Sequence, residues 1–381
     1  MRFKLQSIDD EVRRQVAKGR ASFSGEGLTF FGQDAFDGEV RSDTFLDREG
    51  MNAEVIAAIA DRGGSANGLY TGVAVFENVL LLAPLGLILD PDRKVAWKGA
   101  LLNWNPQAIR NKLREYFMPG SDELEIDVGP PASTSNIAAL IAAPGYNIYG
   151  HWILDFLPRI SRFREFTDDQ LPVYREAPRP WASQLASVLL PEWPDRAIAN
   201  AGQSLRVKQL IVPTISTVRG LLEGKSCVRA WTALSDRLAA SHENIGDQPK
   251  SDRVYISRRN WYKLGDDRIL QNAAEVEDRF EAAGFSIVSP EKMSFNQQQA
   301  MFSNARAIAG EDGSGMHNSI FSAPGTRVGL LAMGRINTLH TSIANALRQH
   351  ITYVDTEKTE NKGIYTANIK AVDRMIEQLV S

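Results

Sequence analysis

A histidine and an aspartate stand four residues apart within residues 146–159, YNIYGHWILDFLPR. If a helix begins near His151, then His151 and Asp155 share one of its faces. A carboxylate in that position orients the imidazole and raises its basicity, which is the arrangement of a general base. The same spacing also fits His151 and Trp152 as satisfied core residues, with Asp155 as a local hydrogen-bond acceptor.

A second group of candidate residues follows two predicted strands of the C-terminal half. Residues 257–260, SRRN, come after one strand, and residues 310–318, GEDGSGMHN, come after another. Arg258 and Arg259 could grip a phosphate at a strand's carboxyl end, and a glycine-flanked turn that opens a helix presents backbone N–H groups to the same anion. Together the two parts predict a diphosphate pocket, although each alone also fits a surface arginine pair or a plain turn.

The order of these motifs resembles that of glycosyltransferase family 61. The resemblance covers roughly residues 70 to 355 and rests on HWxxDxLPR at 151–159, YISRR at 255–259, Arg268 with Asn272, Gly284-Phe285, Gln298, GxxGSGxxN at 310–318, Phe321 and Pro324-Gly325. It implies a two-domain GT-B fold, a nucleotide-sugar donor and inversion at the anomeric carbon. Bacterial members of the family often serve capsular or other surface polysaccharide synthesis.

The resemblance also implies roles for individual residues. The catalytic candidates are His151 and Asp155. The candidate acceptor contacts are Asn147, Tyr149, Trp152 and Arg159. The candidate donor contacts are Arg258, Arg259, Gly313, Ser314, Gly315, His317 and Asn318. Because Arg258, Arg259 and the helix after Gly313 could neutralise the leaving group, we expect that no cofactor is required. A divalent cation, Mn²⁺ or Mg²⁺, stays an open alternative.

Three positions depart from the family pattern. Many members carry His where this chain has Asp312, an acidic residue where it has Ala273, and Glu where it has Gly329. Position 329 is an expected ribose contact, so its glycine leaves the identity of the donor open. His317 is expected to take over part of the role of the missing histidine.

Composition limits the kinds of partner. The chain has 43 Lys and Arg against 46 Asp and Glu, and its net charge of −3 offers no basic field for nucleic acid. The single cysteine, Cys227, excludes an intramolecular disulfide and a Cys-based zinc site, and we expect a packed thiol. The charged N-terminus and the short apolar window 79–89 predict a cytoplasmic protein, with peripheral contact at the inner face of the membrane as the most that we expect.

Strands and helices alternate regularly in the second half. Strands are predicted at 253–257, 285–288, 306–309, 328–331 and 351–354, with helices at 270–283, 295–304, 315–321 and 340–348. This alternation predicts a parallel sheet covered on both faces, with ligands at the carboxyl ends of its strands. The first half is less regular. It predicts short strands within 72–95 that are broken at Glu77-Asn78, further strands at 136–143 and 209–212, and helices at 151–164 and up to residue 190.

At 381 residues the chain exceeds one typical core, so we expect two domains. We predict an α/β protein of GT-B type, with two Rossmann-like domains facing across a cleft. Residues 1–213 form the acceptor-binding domain and residues 214–365 the nucleotide-sugar-binding domain, while residues 366–381 form a helix that returns to the first domain.

The expected activity is that of a hexosyl- or pentosyltransferase that moves a sugar from a nucleotide-sugar donor to a glycan or lipid-linked glycan acceptor. Two alternatives stay open. A pyruvyl transferase of similar fold would share the cationic pocket. A catalytically silent nucleotide-binding or scaffold protein of a polysaccharide assembly complex would fit the three departures. The sugar, the linkage and the oligomeric state stay undetermined.

Overall fold

The chain divides into two compact units, Met1–Asp37 with Ser65–Ala230 and Gly38–Gly64 with Trp231–Ser381. The computed structural model describes residues 1–25, 27–36, 40–63, 69–82, 87–97, 113–141, 148–167, 173–175, 179–192, 197–199, 204–218, 220–241, 251–262, 268–361 and 363–381. Both units combine sheets and helices, so the predicted α/β class is confirmed. The second unit begins at Trp231 rather than at residue 214, and it includes a segment from near the N-terminus.

The first unit contains an eleven-stranded sheet. Its strands are β1 (Arg2–Gln6), β2 (Phe23–Gly25), β3 (Leu28–Ala35), β4 (Tyr70–Leu82), β5 (Leu87–Asp90), β6 (Val95–Trp97), β7 (Glu123–Glu125), β8 (Ser133–Leu140), β9 (Val173–Arg175), β10 (Ala197–Ala199) and β11 (Ser204–Pro213). The order is β10-β9-β8-β11-β4-β5-β6-β1-β7, with β3 also on β4 and β2 on β3. A short hairpin follows, formed by β12 (Thr217–Val218) and β13 (Leu221–Leu222).

This first sheet is mixed. Strands β8 to β11 run parallel, whereas β4 pairs antiparallel with β3, β5 and β11. The parallel pairing expected of a Rossmann-like domain is therefore continuous over β8 to β11, and a separate parallel pair joins β1 and β6. The predicted break at Glu77-Asn78 is wrong, because β4 continues through it: Glu77 pairs with Gln209 and Val79 with Val207, while Asn78 takes a φ of 55° within the strand.

The described helices lie before, between and after groups of strands along the chain. They are α1 (Ile8–Val16), α2 (Met51–Gly63), α3 (Tyr149–His151), a π-helical stretch (Trp152–Phe156), α4 (Leu157–Phe166), α5 (Pro180–Leu189), α6 (Gly224–Ala240), α7 (Arg259–Tyr262), α8 (Ala273–Ala282), a 3₁₀ turn (Pro290–Lys292), α9 (Phe295–Ser303), a 3₁₀ helix (Ser314–Phe321), α10 (Thr338–Ala346) and α11 (Ile369–Val380). Helix α9 begins with a capping box between Ser294 and Gln297.

The second unit carries the regular half of the sequence. Its strands are β14 (Arg253–Ile256), β15 (Ile269–Leu270), β16 (Ser286–Val288), β17 (Ala307–Glu311), β18 (Arg327–Ala332), β19 (His350–Lys358) and β20 (Ile364–Ala367), in the order β15-β20-β19-β18-β17-β14-β16. Strands β16, β14, β17, β18 and β19 are parallel, as predicted. The central strand β17 is buried throughout, as a strand with helices on both faces must be.

A segment from near the N-terminus completes this second unit. Phe45 forms a parallel bridge with Ile351 of β19. Asn52 of α2 is 2% exposed, and its side chain accepts from the backbone N–H of Tyr353 at 2.8 Å and donates to Thr352 Oγ1 at 3.1 Å. These buried hydrogen bonds join α2 to β19.

The C-terminal helix α11 packs within the second unit. Its apolar side chains Val372, Met375, Ile376 and Leu379 share a core with residues of α8, such as Val276, and of the β17 and β18 strands. The prediction that this helix returns to the first domain is therefore wrong. An amphipathic face must be buried against some apolar surface, and the nearest one is the sheet that immediately precedes α11 in the chain.

Candidate active site

His151 and Asp155 form the predicted pair in the first unit. His151 ends α3 and Asp155 lies in the π-helical stretch, and His151 Nδ1 lies 2.6 Å from Asp155 Oδ2. The second oxygen, Oδ1, accepts a 2.5 Å hydrogen bond from Thr217 in β12. The Asp155 side chain is 8% exposed and that of His151 is 31% exposed. A buried, doubly held carboxylate therefore orients an imidazole that solvent reaches.

Two aromatic residues, Tyr149 and Trp152, flank His151 in the sequence, and both pack against Trp181. The ring of Tyr149 meets that of Trp181 of α5 edge-on at 5.8 Å, and Trp181 in turn meets Trp152 at 6.3 Å. Tyr149 and Trp181 are half-buried, and burial raises the pKa of the Tyr149 phenol. Partly exposed aromatic faces of this kind suit the apolar face of a sugar ring.

Two of the residues predicted to contact the acceptor have buried side chains. Trp152 and Arg159 are both fully buried. Arg159 donates to the backbone carbonyls of Pro213 at 2.7 Å and Leu140 at 2.8 Å, which are the last residues of β11 and β8. Neither side chain is accessible in this structure, so a contact with an acceptor would require both residues to become exposed. Asn147 lies outside the described residues.

In the second unit, Arg258 and Gly313 lie against each other. They follow the neighbouring strands β14 and β17, and a Cβ atom on Gly313 would overlap Nη1 of Arg258. Glycine at 313 thus makes room for the guanidinium group. This contact brings together two of the predicted donor residues at the carboxyl ends of parallel strands, where ligands of such sheets bind.

Glu311, the last residue of β17, is buried beneath this contact. Tyr262 donates a 2.6 Å hydrogen bond to Glu311 Oε2. Burial raises the pKa of Glu311 to about 7, against the opposing effects of the Tyr262 hydrogen bond and the Arg258 charge. The carboxyl group therefore titrates near neutral pH.

Arg259 points to a different partner. Its Nη1 donates to Glu277 Oε2 of α8 at 3.0 Å, and the other oxygen of Glu277 accepts from Ser257 at 2.6 Å. The Arg259 side chain is 56% exposed. The structure therefore places Arg258 at the glycine turn and Arg259 in an exposed ion pair with Glu277. For both arginines to bind one phosphate, as predicted, Arg259 would have to leave that ion pair.

Residues after Gly313 form the predicted helix, which is of the 3₁₀ type and spans Ser314–Phe321. Ser314 and Gly315 are half-buried, whereas Asn318 and His317 are 0% and 5% exposed. Asn318 donates to Gln298 Oε1 at 3.0 Å, and the His317 ring lies 4.9 Å from that of His340. The helix turns both side chains into the core, so the predicted contacts of Asn318 and His317 with the donor would require the side chains to become accessible.

Asp312 organises a network that the sequence motifs do not show. It is fully buried, and its carboxylate accepts from four side chains: Arg335 at 3.2 Å, Arg268 at 3.4 Å, Asn337 at 3.0 Å and His340 at 3.0 Å. Burial opposes the ionised form of Asp312, but the hydrogen bonds from His340 and Asn337 and the charges of His340 and Arg335 outweigh it and hold the pKa of Asp312 well below its usual range. Its partners lie 23 to 44 residues away along the chain, so no local spacing indicates them.

The other two departures from the family pattern lie in the core. A Cβ atom on Gly329 would approach Leu379 Cδ1 to 2.7 Å and Met375 Sδ to 2.8 Å, so α11 covers this position. In this chain, position 329 is therefore packed against α11. Ala273, the first residue of α8, is 4% exposed and belongs to the same core.

Three further observations concern metal, thiol and membrane. Among the residues that the structure describes, no group of three His, Cys, Asp or Glu side chains could hold a metal ion. Cys227 is buried as expected, and burial raises the pKa of its thiol. Within the described part of the chain, each helix is too short or too polar to span a bilayer.

Comparison with known families agrees with the motifs. Residues 149–329 match the family model described as Glycosyltransferase 61. The match includes the His151–Asp155 pair, Arg258 and the 310–318 segment, whereas Arg335 and His340 lie beyond it. No curated protein matches the chain at a significant level. Over residues 149–329 the chain is therefore similar to glycosyltransferase family 61.

Proposed function

We propose that the protein is an inverting glycosyltransferase that moves a hexosyl or pentosyl group from a nucleotide-sugar donor to a hydroxyl group of a glycan or lipid-linked glycan. The observation that carries this proposal is the His151–Asp155 contact of 2.6 Å, with Thr217 holding the second carboxylate oxygen. A buried carboxylate that orients an exposed imidazole through Nδ1 directs the other ring nitrogen, Nε2, to a proton on a substrate.

In this mechanism His151 is the general base. The acceptor oxygen attacks the anomeric carbon on the face opposite the leaving diphosphate. A new C–O bond forms, the bond from the anomeric carbon to the diphosphate oxygen breaks, and its electron pair stays on that oxygen. The acceptor proton passes to His151 Nε2, and Asp155 stabilises the resulting imidazolium. Tyr149 and Trp181 are suited to hold the acceptor sugar.

The donor diphosphate is assigned to the second unit. Arg258 and the Gly313–Gly315 turn stand at the carboxyl ends of β14 and β17, and a guanidinium group with backbone N–H donors can neutralise a departing diphosphate. Arg259 would contribute only after leaving Glu277. The setting that we propose is surface polysaccharide synthesis in the cytoplasm or at the inner membrane face, in keeping with the resemblance of the sequence to bacterial members of the family.

A ligand panel tests this function. We expect one nucleoside diphosphate and its nucleotide sugar to raise the melting temperature, because a ligand that binds only the folded state stabilises it. The panel is repeated with Mn²⁺, Mg²⁺ and a chelator to decide the metal requirement. Transfer to a glycan acceptor is then followed by mass spectrometry, with the anomeric configuration of the product determined by NMR.

Each outcome has a defined meaning. Transfer with inversion supports the proposal, and transfer with retention overturns the mechanism. Binding of a nucleotide sugar without transfer to any acceptor of a broad glycan panel favours the silent scaffold alternative. A protein that ignores all nucleotide sugars yet modifies glycans with pyruvate is the pyruvyl transferase.

A further inference from the structure

Three arginines gather at the carboxyl end of β17. Arg258 lies against Gly313, Arg268 Nη1 donates to the backbone carbonyl of Asp312 at 3.0 Å, and Arg335 Nε lies 3.2 Å from Asp312 Oδ2. The carboxylate of Asp312 supplies one full negative charge there, and Glu311, which titrates near neutrality, supplies part of another. The cluster therefore keeps an excess of positive charge.

Arg335 is presented on a fixed loop. Gly334 turns the chain just after β18 with a φ of 69°, and the Tyr365 ring lies where a Cβ atom would stand. On the other side, Asn337 caps α10 by accepting from the backbone N–H of Leu339 and also donates to Asp312 Oδ1. With His340 bound to the same oxygen, the loop is tied to Asp312 at three residues.

The geometry of the guanidinium group decides what Arg335 can do. Its side chain is 61% exposed although Nε is bound to the buried Asp312. Its two terminal nitrogens make no hydrogen bond to any residue that the structure describes. A guanidinium group anchored through Nε keeps its terminal edge for a second, bidentate partner, and phosphate oxygens match that edge.

We propose that Asp312 is a positioning residue that holds Arg335 and Arg268 as an anion-binding pair, and that Arg335 contacts the diphosphate of the donor. This inference rests on the proposed function and deepens it, since it adds a donor residue beyond the segment that matches the family. Arg335 stands after β18, the strand next to β17, so the loops after three adjacent strands, β14, β17 and β18, all face the same anion.

The test measures the affinity of the full chain for inorganic pyrophosphate and for UDP, GDP, CDP and ADP by calorimetry. We expect Arg335→Ala to weaken pyrophosphate binding by roughly 10- to 100-fold, the usual effect of losing a charge-assisted pair. Arg306→Ala is the matched control, because Arg306 is 87% exposed and precedes β17 at the opposite end of the strand. It should change the affinity less than twofold. Equal effects of the two variants would overturn the inference.

The Asp312→Asn variant distinguishes a positioning role of Asp312 from a purely electrostatic effect of its charge on the bound anion. If Asp312 only opposes the anion, its neutralisation should tighten pyrophosphate binding; if it positions the arginines, the affinity should fall at least about fivefold despite the added positive charge. Tighter binding overturns the positioning role. Should this variant fail to fold, the Arg335→Lys variant is used instead, because lysine keeps the positive charge but not the planar edge of the guanidinium group. If Arg335 is positioned for a bidentate contact, Arg335→Lys should lose nearly as much pyrophosphate affinity as Arg335→Ala. Wild-type affinity of the lysine variant would contradict the positioning role.

The inference and the proposed function can fail separately. Pyrophosphate binding that weakens with Arg258→Ala but not with Arg335→Ala refutes the inference and leaves the function standing. Arg335-dependent binding of pyrophosphate with no transfer from any nucleotide sugar refutes the function and leaves the anion site. A wild-type protein that binds none of these anions refutes both.

Discussion

The hydroxyl group of Thr217 donates a 2.5 Å hydrogen bond to Oδ1 of Asp155, across 62 residues of sequence. Since Oδ2 of the same carboxylate meets His151, Thr217 restricts the rotation of the carboxylate and with it the direction of the imidazole. Thr217, the first residue of β12, thus fixes the orientation of a His–Asp pair that the helical spacing brings into contact.

Replacing Thr217 therefore tests whether its hydroxyl group positions Asp155 and, through Asp155, the proposed base His151. We expect Thr217→Val to lower kcat by roughly 3- to 30-fold with little change in the KM for the donor, because a hydrogen bond of this kind contributes about 1–2 kcal/mol. Thr217→Ser should restore most of the activity, as serine keeps the donor. Equal activity of the valine and serine variants would show that the hydroxyl group does not position Asp155.

The base itself is tested by removing the imidazole. His151→Ala should lower kcat by roughly 10²- to 10⁴-fold while donor affinity stays nearly unchanged. Melting temperatures of the variants show that they are folded. An inactive Asp155→Asn beside a near-normal His151→Ala would reverse the two roles, with Asp155 as the base. Full activity of both folded variants would make the pair structural and remove our assignment.

Glu311 gives the donor site a pH dependence. Burial raises its pKa to about 7, so the group is neutral at lower pH and adds a negative charge near Arg258 as the pH rises through 7. Glu277 and Tyr262 also face it, and Glu277 stays paired with Arg259. Higher pH should therefore weaken anion binding by the wild-type protein relative to Glu311→Gln.

The measurement is the ratio of pyrophosphate Kd values, wild type over Glu311→Gln, at pH 6 and pH 8. The ionisation of pyrophosphate affects both proteins equally and cancels in the ratio. We expect the ratio to rise roughly 3- to 10-fold from pH 6 to pH 8, because the Glu311 carboxylate gains its negative charge close to the bound anion. A ratio that stays constant between the two pH values would show that Glu311 does not act on the bound anion.

Gly329 provides a test of the packing of α11. Gly329→Glu, which introduces the residue that many family members carry, should lower the free energy of unfolding by about 3–5 kcal/mol, because it forces a charge against Met375 and Leu379. Urea denaturation followed by tryptophan fluorescence measures this loss. Gly129→Glu is the control, since a Cβ at that exposed glycine meets nothing within 4 Å. Comparable stability of the two variants would contradict this packing.

The elements of the second unit were predictable because periodicity is a local property. Strand β14 is observed at Arg253–Ile256 against the predicted 253–257, and α9 at Phe295–Ser303 against 295–304. The His151–Asp155 contact was predictable for the same reason, since four residues of helix fix it. Residue types and short spacings were thus sufficient for these two elements and for this pair, whereas the local turn signal at Glu77-Asn78 failed because β4 continues through it.

The remaining features depend on contacts between distant segments. The Asp312 network joins loops that no spacing connects, and the burial of Trp152 and Arg159 depends on how the helix is rotated over β8 and β11. Motifs identified Asn318 and His317 as residues of interest without showing which way they point. The partner of α11 was equally undetermined, because an amphipathic pattern specifies a buried face and not the surface that covers it.

The hydrogen bond from Tyr353 to Asn52 spans 301 residues and has a consequence for the order of synthesis. A ribosome working at roughly 5–20 residues per second exposes α2 about 15–60 s before β19 emerges. During that interval the helix lacks the sheet that buries it, so the second unit reaches its native packing only after almost the whole chain has been made. Translation speed and chaperone binding to residues 51–63 should therefore govern the yield of folded protein more than events in the first unit do.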